Sequence, residues 1–466
     1  MSSVIKLVIS FQRITAVCDC ASDINLLKEP LRDGLAMWSD SVIIGGGLAG
    51  LSLAINLSRS SKVLILESES NLGGLARSYV VKNVVFDFGP HVLRSNDSAL
   101  INWISSLVKL AHYKTNPGTY KYGKIFDHVI PVITWNNIYR LPKNLHGRIK
   151  AELEQLNRRK GFNTALNFEE AIISQVGETL YHEFFGEYSR KWWGIEPRSL
   201  SAELAPCNLQ ISETSSYAHI TTAFSKPRKE FYPIRGGYGS IADAIVNKLS
   251  KLRNVIIRTK ARVTDIVSDG GKVSEVIINN KEELHVEGTV YSTIPLTDVA
   301  SMLGISTDLK YRADICVFMV VKEEYSRNLD KSWLYFPESD IFFSRLCWMG
   351  HFSKYNENTG LRGFVAEITC FKGDNIWNMR DEDLVYQVLD SLLDIGFIRH
   401  DNIVAAHVVK QAYAYPLLTV NYDKEKRKLM NKLKEVASNL IPVGRTGSFK
   451  YWNSDAVLSL AKRLSI

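Results

Sequence analysis

No apolar run in this 466-residue chain reaches the roughly 18 residues that a membrane-spanning helix needs. Cysteine is sparse. Cys18, Cys20, Cys207, Cys316, Cys347 and Cys370 are scattered, and Cys18-x-Cys20 has no second pair at zinc-finger spacing. That argues against a zinc module or a disulfide framework and for free thiols in a reducing compartment. The chain also lacks an internal repeat, a low-complexity linker and a nucleic-acid motif. Its positive excess, +8, is modest and dispersed. The densest runs are Arg158-Arg159-Lys160 and "KEKRKLMNKLKE" from Lys424 to Glu435. In the second, Leu429, Met430 and Leu433 fall at helical spacing, so the charges read as a solvated helix face. What remains is an ordinary globular composition, 45% hydrophobic and 23% charged. The expected location is cytoplasmic, with any membrane contact peripheral, and no metal is expected.

Within that frame, Val42 to Ile44 is a β-branched run that reads as a buried strand. Leu48 to Ser60 reads as a helix with Leu48, Leu51, Ile55 and Leu57 on its apolar side, and Lys62 to Leu66 ("KVLIL") as a second strand. Strand, glycine turn, helix and strand make a βαβ unit and predict a parallel sheet. Residues from about 147 to 229 are helical by period and rich in aromatics, as in "LYHEFFGEYSRKWWG". Asp269-Gly270-Gly271 predicts a hairpin, and the tail predicts a strand, a glycine turn and a final helix. Residues 1–37 ("MSSVIKLVISFQ…") are a poor imitation of a signal peptide and are expected to be a dispensable extension.

Two glycine clusters carry the chemistry. Gly45-x-Gly47-x-x-Gly50 follows the first strand and opens the helix, the dinucleotide fingerprint. Its glycines serve the tight turn, the backbone approach to pyrophosphate, and close helix–strand packing, and the helix N-terminus favours the phosphates. Glu67 ends the second strand twenty residues after Gly47, where a carboxylate can accept ribose hydroxyls. Gly73-Gly74-Leu75-Ala76-Arg77 comes six residues later. A nicotinamide enzyme has no need of this second turn, whereas a protein wrapping an extended FAD does. Arg77 then reads as a hydrogen-bonding partner for phosphate or flavin, or as a surface arginine on an ordinary loop.

"VIIGGGLAGLSLA", "VLILES", "NLGGLARS" and "FDFGPHVLRSND" resemble the N-terminal part of the flavin-containing amine oxidase superfamily, above all its protoporphyrinogen-oxidase-like members. "FYPIRGGYGSIADAI", "ARVTDIV", "VYSTIP" and "PVGRTGSFKYWNSDAVLSLAKRL" fit the same family in the same order. The resemblance implies an α/β fold in which an FAD-binding Rossmann-like (GR2-type) domain is interleaved with a mixed sheet-plus-helix substrate domain. The FAD domain would take 38–110, 230–300 and 421–466. The substrate domain would take 111–229 and 301–420, with the helical insertion at about 147–229. As cofactor contacts it implies Gly45, Gly47, Leu48, Ala49, Gly50, Glu67, Ser68, Gly73, Gly74, Leu75, Ala76 and Arg77. It adds Pro90, His91, Val263, Gly444, Arg445, Trp452 and Asp455. The implied activity is hydride transfer from a small organic substrate to flavin N5, with oxygen or a quinone as electron acceptor.

"FGPHVLRSND", "NIYRLPKNL" and the Leu180–Leu200 stretch also resemble UDP-galactopyranose mutase, a flavin enzyme without net redox change. Leu75-Ala76-Arg77 and Leu93-Arg94 depart from the mutase pattern and favour oxidation. No clear acid–base pair emerges. His91 reads as a flavin-edge or substrate contact, or as a core histidine. Arg190, Lys191 and Arg345 read as holders of a carboxylate or diphosphate, or as surface charges. Trp192, Trp193, Tyr413 and Tyr415 read as walls of a flat substrate pocket, or as core.

Overall fold

A computed structural model describes residues 15–16, 37–38, 40–127, 132–158, 165–206, 210–212, 228–325, 330–352, 360–399 and 402–463. Cys18, Cys20, Cys207, Arg159 and Lys160 lie outside the described residues, and Cys316, Cys347 and Cys370 are free and buried. Of residues 1–37, only Thr15–Ala16 and the start of Met37–Trp38 are described.

Five parallel strands form the nucleotide sheet, in the order Val255–Arg258, Val63–Leu66, Ser41–Ile44, Thr289–Ser292, Leu440–Pro442. The two strands nearest the fingerprint are buried along their whole length, the mark of a sheet covered on both faces. Helix Leu48–Leu57 stops three residues short of the expected Ser60, where Ser58 Oγ donates to Ile55 O at 3.1 Å. It is buried around most of its circumference, not along one stripe, because Ser240–Leu249 and Ser454–Arg463 pack on it. The Asp269 hairpin forms between Val263–Asp269 and Lys272–Ile278, with Gly270 (φ 56°) and Gly271 (φ 75°) in the left-handed region that its turn requires.

A second sheet of seven strands runs Lys124–Asp127, Pro117–Lys121, Trp333–Tyr335, Arg345–Trp348, Leu361–Cys370, Tyr311–Lys322, Ile403–Pro416. Helix Asp381–Asp394 covers one face through Leu384, Val385, Val388 and Leu392. The helical segment packs around its own core of Phe168, Ile172, Tyr181, Phe184, Phe185, Trp192 and Trp193. A π-turn at Tyr181–Gly186 lies in its middle, and Gly194 (φ 69°) ends it.

Candidate active site

The two glycine clusters meet. Gly73 N donates to Gly46 O at 2.8 Å, Gly47 and Gly73 pair as a parallel bridge, and Gly74 lies against Gly47. Gly73 (φ 103°) and Gly74 (φ 57°) both hold conformations that side-chain-bearing residues avoid. A Cβ on Gly50 would overlap Gly45 O, so the third glycine serves packing. Glu67 is buried and fixed: Oε2 accepts Gly46 N at 2.7 Å, and Oε1 accepts Glu69 N at 2.8 Å and the Ser68 hydroxyl at 3.2 Å. Arg77 turns its Nε onto Gly74 O at 3.2 Å and does not line the cleft. It braces the second glycine turn, where the sequence pattern suggested it reached the cofactor.

From this cradle a cleft of about 590 Å³ runs between the two sheets. Of the expected residues it brings together Gly45, Gly47, Leu48, Ala49, Glu67, Gly73, Gly74, Leu75, Ala76, Pro90, His91, Arg345, Tyr413, Tyr415, Arg445 and Trp452. Gly444 (φ 80°) packs on Ala49 and turns Arg445 inward. Arg445 stacks on Tyr415 and Tyr451, 4.7 Å from each ring. Its buried Nε and Nη2 find no hydrogen-bond acceptor among the described residues.

Other expectations are not met in place. Ser68 and Val263 are not among the residues that line the cleft. Asp455 faces Arg228 at 3.2 Å, and Asn453 and Ser454 line the cleft in its stead. Arg190 is on the outer face of its helix, paired with Glu196 at 3.0 Å. Lys191 is spent on structure: its Nζ donates to the carbonyls of Phe336, Glu338, Ile341 and Phe343, at 2.6 to 3.1 Å. Trp192 and Trp193 back the wall without lining it. Trp192 stacks behind Arg345 (4.9 Å), and Trp193 meets Tyr415 and Tyr451 edge-on.

The far end of the cleft holds residues that sequence reasoning missed: Phe88, Val92, Arg94, Trp333, Tyr335, Gln411 and Tyr451. Gln411, Tyr413 and Tyr415 alternate along one strand, and Trp333 and Tyr335 along another, so period two aims each set at the cleft. Arg94 is held by Glu230 at 2.7 Å and lies over Trp333. Period-two aromatics on a strand were the signal available for this wall.

His91 contacts Gly89 O through Nδ1 at 3.3 Å, a bond that places the proton on Nδ1 and leaves Nε2 an acceptor. Burial holds its pKa down to about 4, and Arg445 and Arg345 push the same way. The unfolded chain therefore protonates His91 from about pH 6.5 downward, before the folded chain does. Stability contributed by the neutral ring is present above that pH and is lost as pH falls toward 4, by about 3 kcal/mol. Asp87 has the opposite sign. It accepts from Ser78 Oγ, Tyr232 OH and Tyr238 N, yet burial pushes it up to about 6, so its contribution is lost as pH rises through 6. The urea midpoint of His91→Gln, followed from pH 7 to 4, is expected to fall less than that of the wild type. An identical fall would show that His91 titrates freely.

A parallel sheet, a fingerprint turn and a buried cationic cleft define a dinucleotide-binding α/β enzyme. The chain belongs to the flavin containing amine oxidoreductase family, whose sequence profile matches residues 48–416. It is similar to dTDP-fucopyranose mutase of Escherichia coli, 28% identical over 170 residues, 35% of this chain and 44% of that one. The chain spans less than half the length of the curated relatives it matches. Its fold is that of reduced UDP-galactopyranose mutase (TM-score 0.76, 20% identity, covering 91% and 92% of the two chains). It is also that of a putative protoporphyrinogen oxidase from Exiguobacterium sp. 255-15 (TM-score 0.69, 13% identity, 91% and 99%). The cofactor is FAD. The residues present fit it: Gly47 leaves an open cradle that a Cβ would fill, and Arg445 has two buried guanidinium nitrogens that find no acceptor among the described residues.

Proposed function

We propose that the protein is an FAD-dependent oxidoreductase that moves hydride from a flat organic substrate to flavin N5. The observation that carries this reading is the chemistry of the cleft wall. Among the described lining residues the sole carboxylate is Glu67, at the ribose end, and the far end is walled by Phe88, Trp333, Tyr335, Tyr413, Tyr415 and Tyr451. Such a chamber supplies positioning and excludes water, which hydride transfer needs more than it needs an acid–base pair.

Gly45, Gly47, Gly73 and Gly74 would hold the pyrophosphate, Glu67 the ribose, and Arg445 a negative part of the bound pair. Bound FAD supplies the hydride acceptor. Arg345 presents a guanidinium to a carboxylate or diphosphate on the substrate, while neutral His91 offers an acceptor nitrogen. The cofactor-binding pieces are 38–110, 230–300 and 421–466, and the substrate pieces 111–229 and 301–420. Oxygen or a quinone takes the electrons.

A second reading, a flavin-dependent sugar-nucleotide isomerase, is supported by the three arginines lining the cleft, Arg94, Arg345 and Arg445, and by the mutase-like fold. Anaerobic addition of protoporphyrinogen, amines or a carotenoid precursor is expected to bleach the flavin absorbance. No bleaching by any of them, with UDP-galactose binding to the dithionite-reduced protein, would put the isomerase in its place.

A further inference from the structure

The seven-stranded sheet buries two carboxyls beneath the cleft, Glu367 and Asp314, 0% and 1% exposed. Glu367 stands opposite Cys316 on the neighbouring strand, two residues along from Asp314. On its other side it faces Arg345, which grips both of its oxygens, Nε to Oε1 and Nη2 to Oε2, at 2.5 Å each. Glu367 also lies against Gly89, where a Cβ would stand 2.6 Å from Oε2. One carboxylate thus ties the cleft guanidinium to the loop that carries Pro90 and His91.

Among the described residues no cation is paired with Asp314; the nearby Arg345 is paired with Glu367. Asp314 Oδ1 finds no hydrogen-bond partner among the described residues. Arg312, on the same strand, is turned to Trp192 O, Thr369 Oγ1 and the Phe371 ring. Asp314, Cys316 and Glu367 offer ligand atoms within 4.8 Å of one another, as a metal site would. The guanidinium already occupies both Glu367 oxygens, so the cation of this group is Arg345.

Two carboxylates against one guanidinium would leave a bare negative charge in a dry sheet, which costs more than keeping a proton. The carboxyl without the cation is the one that keeps it. We propose that Asp314 retains its proton and donates it to Glu367, and that it is the positioning residue fixing Glu367, and through it Arg345, at the cleft. The link to substrate rests on reading Arg345 as the anion holder; the proton itself does not. The groups facing Asp314 are Glu367 and Thr369 on one neighbouring strand, and Gln411 and Tyr415 on the other. Arg345 and Cys347 lie beyond Glu367, and Arg312 and Cys316 share its own strand. Burial first, and then Glu367, lift its carboxyl well above the ordinary range, against the pull of Arg345 and Arg312.

Infrared spectra of the flavoprotein and its Asp314→Asn variant test the proton at about pH 8, where Asp87 and Asp243, pushed up to about 6, are ionised. The expected difference is the loss of a neutral carboxylic-acid carbonyl band. Loss of carboxylate bands instead would overturn the proposal. Should Asp314→Asn not accumulate, wild-type protein with carbon-13-labelled aspartate must show an isotope-shifted neutral-acid band, and its absence counts against the idea equally. Inorganic pyrophosphate then probes Arg345. Asp314→Asn, whose amide also donates, is expected to bind it within about twofold of wild type, and Asp314→Ala about tenfold more weakly. Tightening by about tenfold in Asp314→Asn would mean that a negative charge had been removed, and would sink the proposal. A wild type that does not bind pyrophosphate defeats the anion reading of Arg345, with the infrared result still deciding the proton.

Discussion

A Gly47→Ala chain is expected to fold as the wild type does and to lose its flavin. Gly47 has φ −74° and ψ 179°, which any residue adopts. A methyl there would meet only Gly74 Cα, at 3.8 Å, an ordinary contact. The cost to folding is therefore within about 1 kcal/mol, and the lowered entropy of the unfolded chain offsets part of it. Yet that methyl fills the space between the two glycine turns at the N-terminus of helix Leu48–Leu57, where pyrophosphate must approach the backbone. Loss of about 3 kcal/mol of binding, roughly a hundredfold in affinity, is expected. Gly50→Ala is the contrast. Its Cβ would overlap Gly45 O, a backbone atom that cannot step aside, so stability and flavin should fall together. Flavin absorbance per chain, set beside the circular-dichroism melt, separates the two. Wild-type flavin content in Gly47→Ala would show that the cradle is elsewhere.

What could be read in advance follows from how local each requirement is. The Val42 and Val63 strands announce themselves because a strand buried on both faces is a continuous apolar run. Gly45, Gly73 and Gly444 are legible because positive φ excludes most other residues. Glu67 is legible through its distance from the fingerprint. The substrate end is different, because its chemistry is made by partners far apart in the chain. Arg94 takes its meaning from Glu230, 136 residues away. Arg190 and Arg345 look alike in sequence, as cations beside aromatics. Helix Glu187–Trp193 buries Trp192 and Trp193 and so must turn Arg190 outward, whereas the strand Arg345–Trp348 turns Arg345 inward onto Glu367. Asp314 and Glu367 look like solvent-facing breaks in strand patterns. Only the stacking of strands on both sides, with helix Glu187–Trp193 and the strand Val84–Asp87 packed against Leu361–Cys370, makes them core residues.

Arg345→Met is expected to cost about 3–5 kcal/mol of stability, because it leaves the Glu367 carboxylate buried without a counter-ion. A double variant, Arg345→Met with Glu367→Gln, is expected to recover most of that. It removes both charges together, and the Gln carbonyl can still accept from Asp314. If the pair served only the fold, activity would return along with stability. If Arg345 instead presents its guanidinium to substrate, the double variant should be stable and still slowed by about a hundredfold or more, with pyrophosphate affinity also lost. Urea midpoints, turnover and pyrophosphate titration on the same three proteins give the comparison. A stable double variant with wild-type turnover would make Arg345 and Glu367 a structural pair. In the expected outcome, the sheet carries the desolvation cost of a buried ion pair so that the Arg345 guanidinium stays aimed into the aromatic end of the cleft.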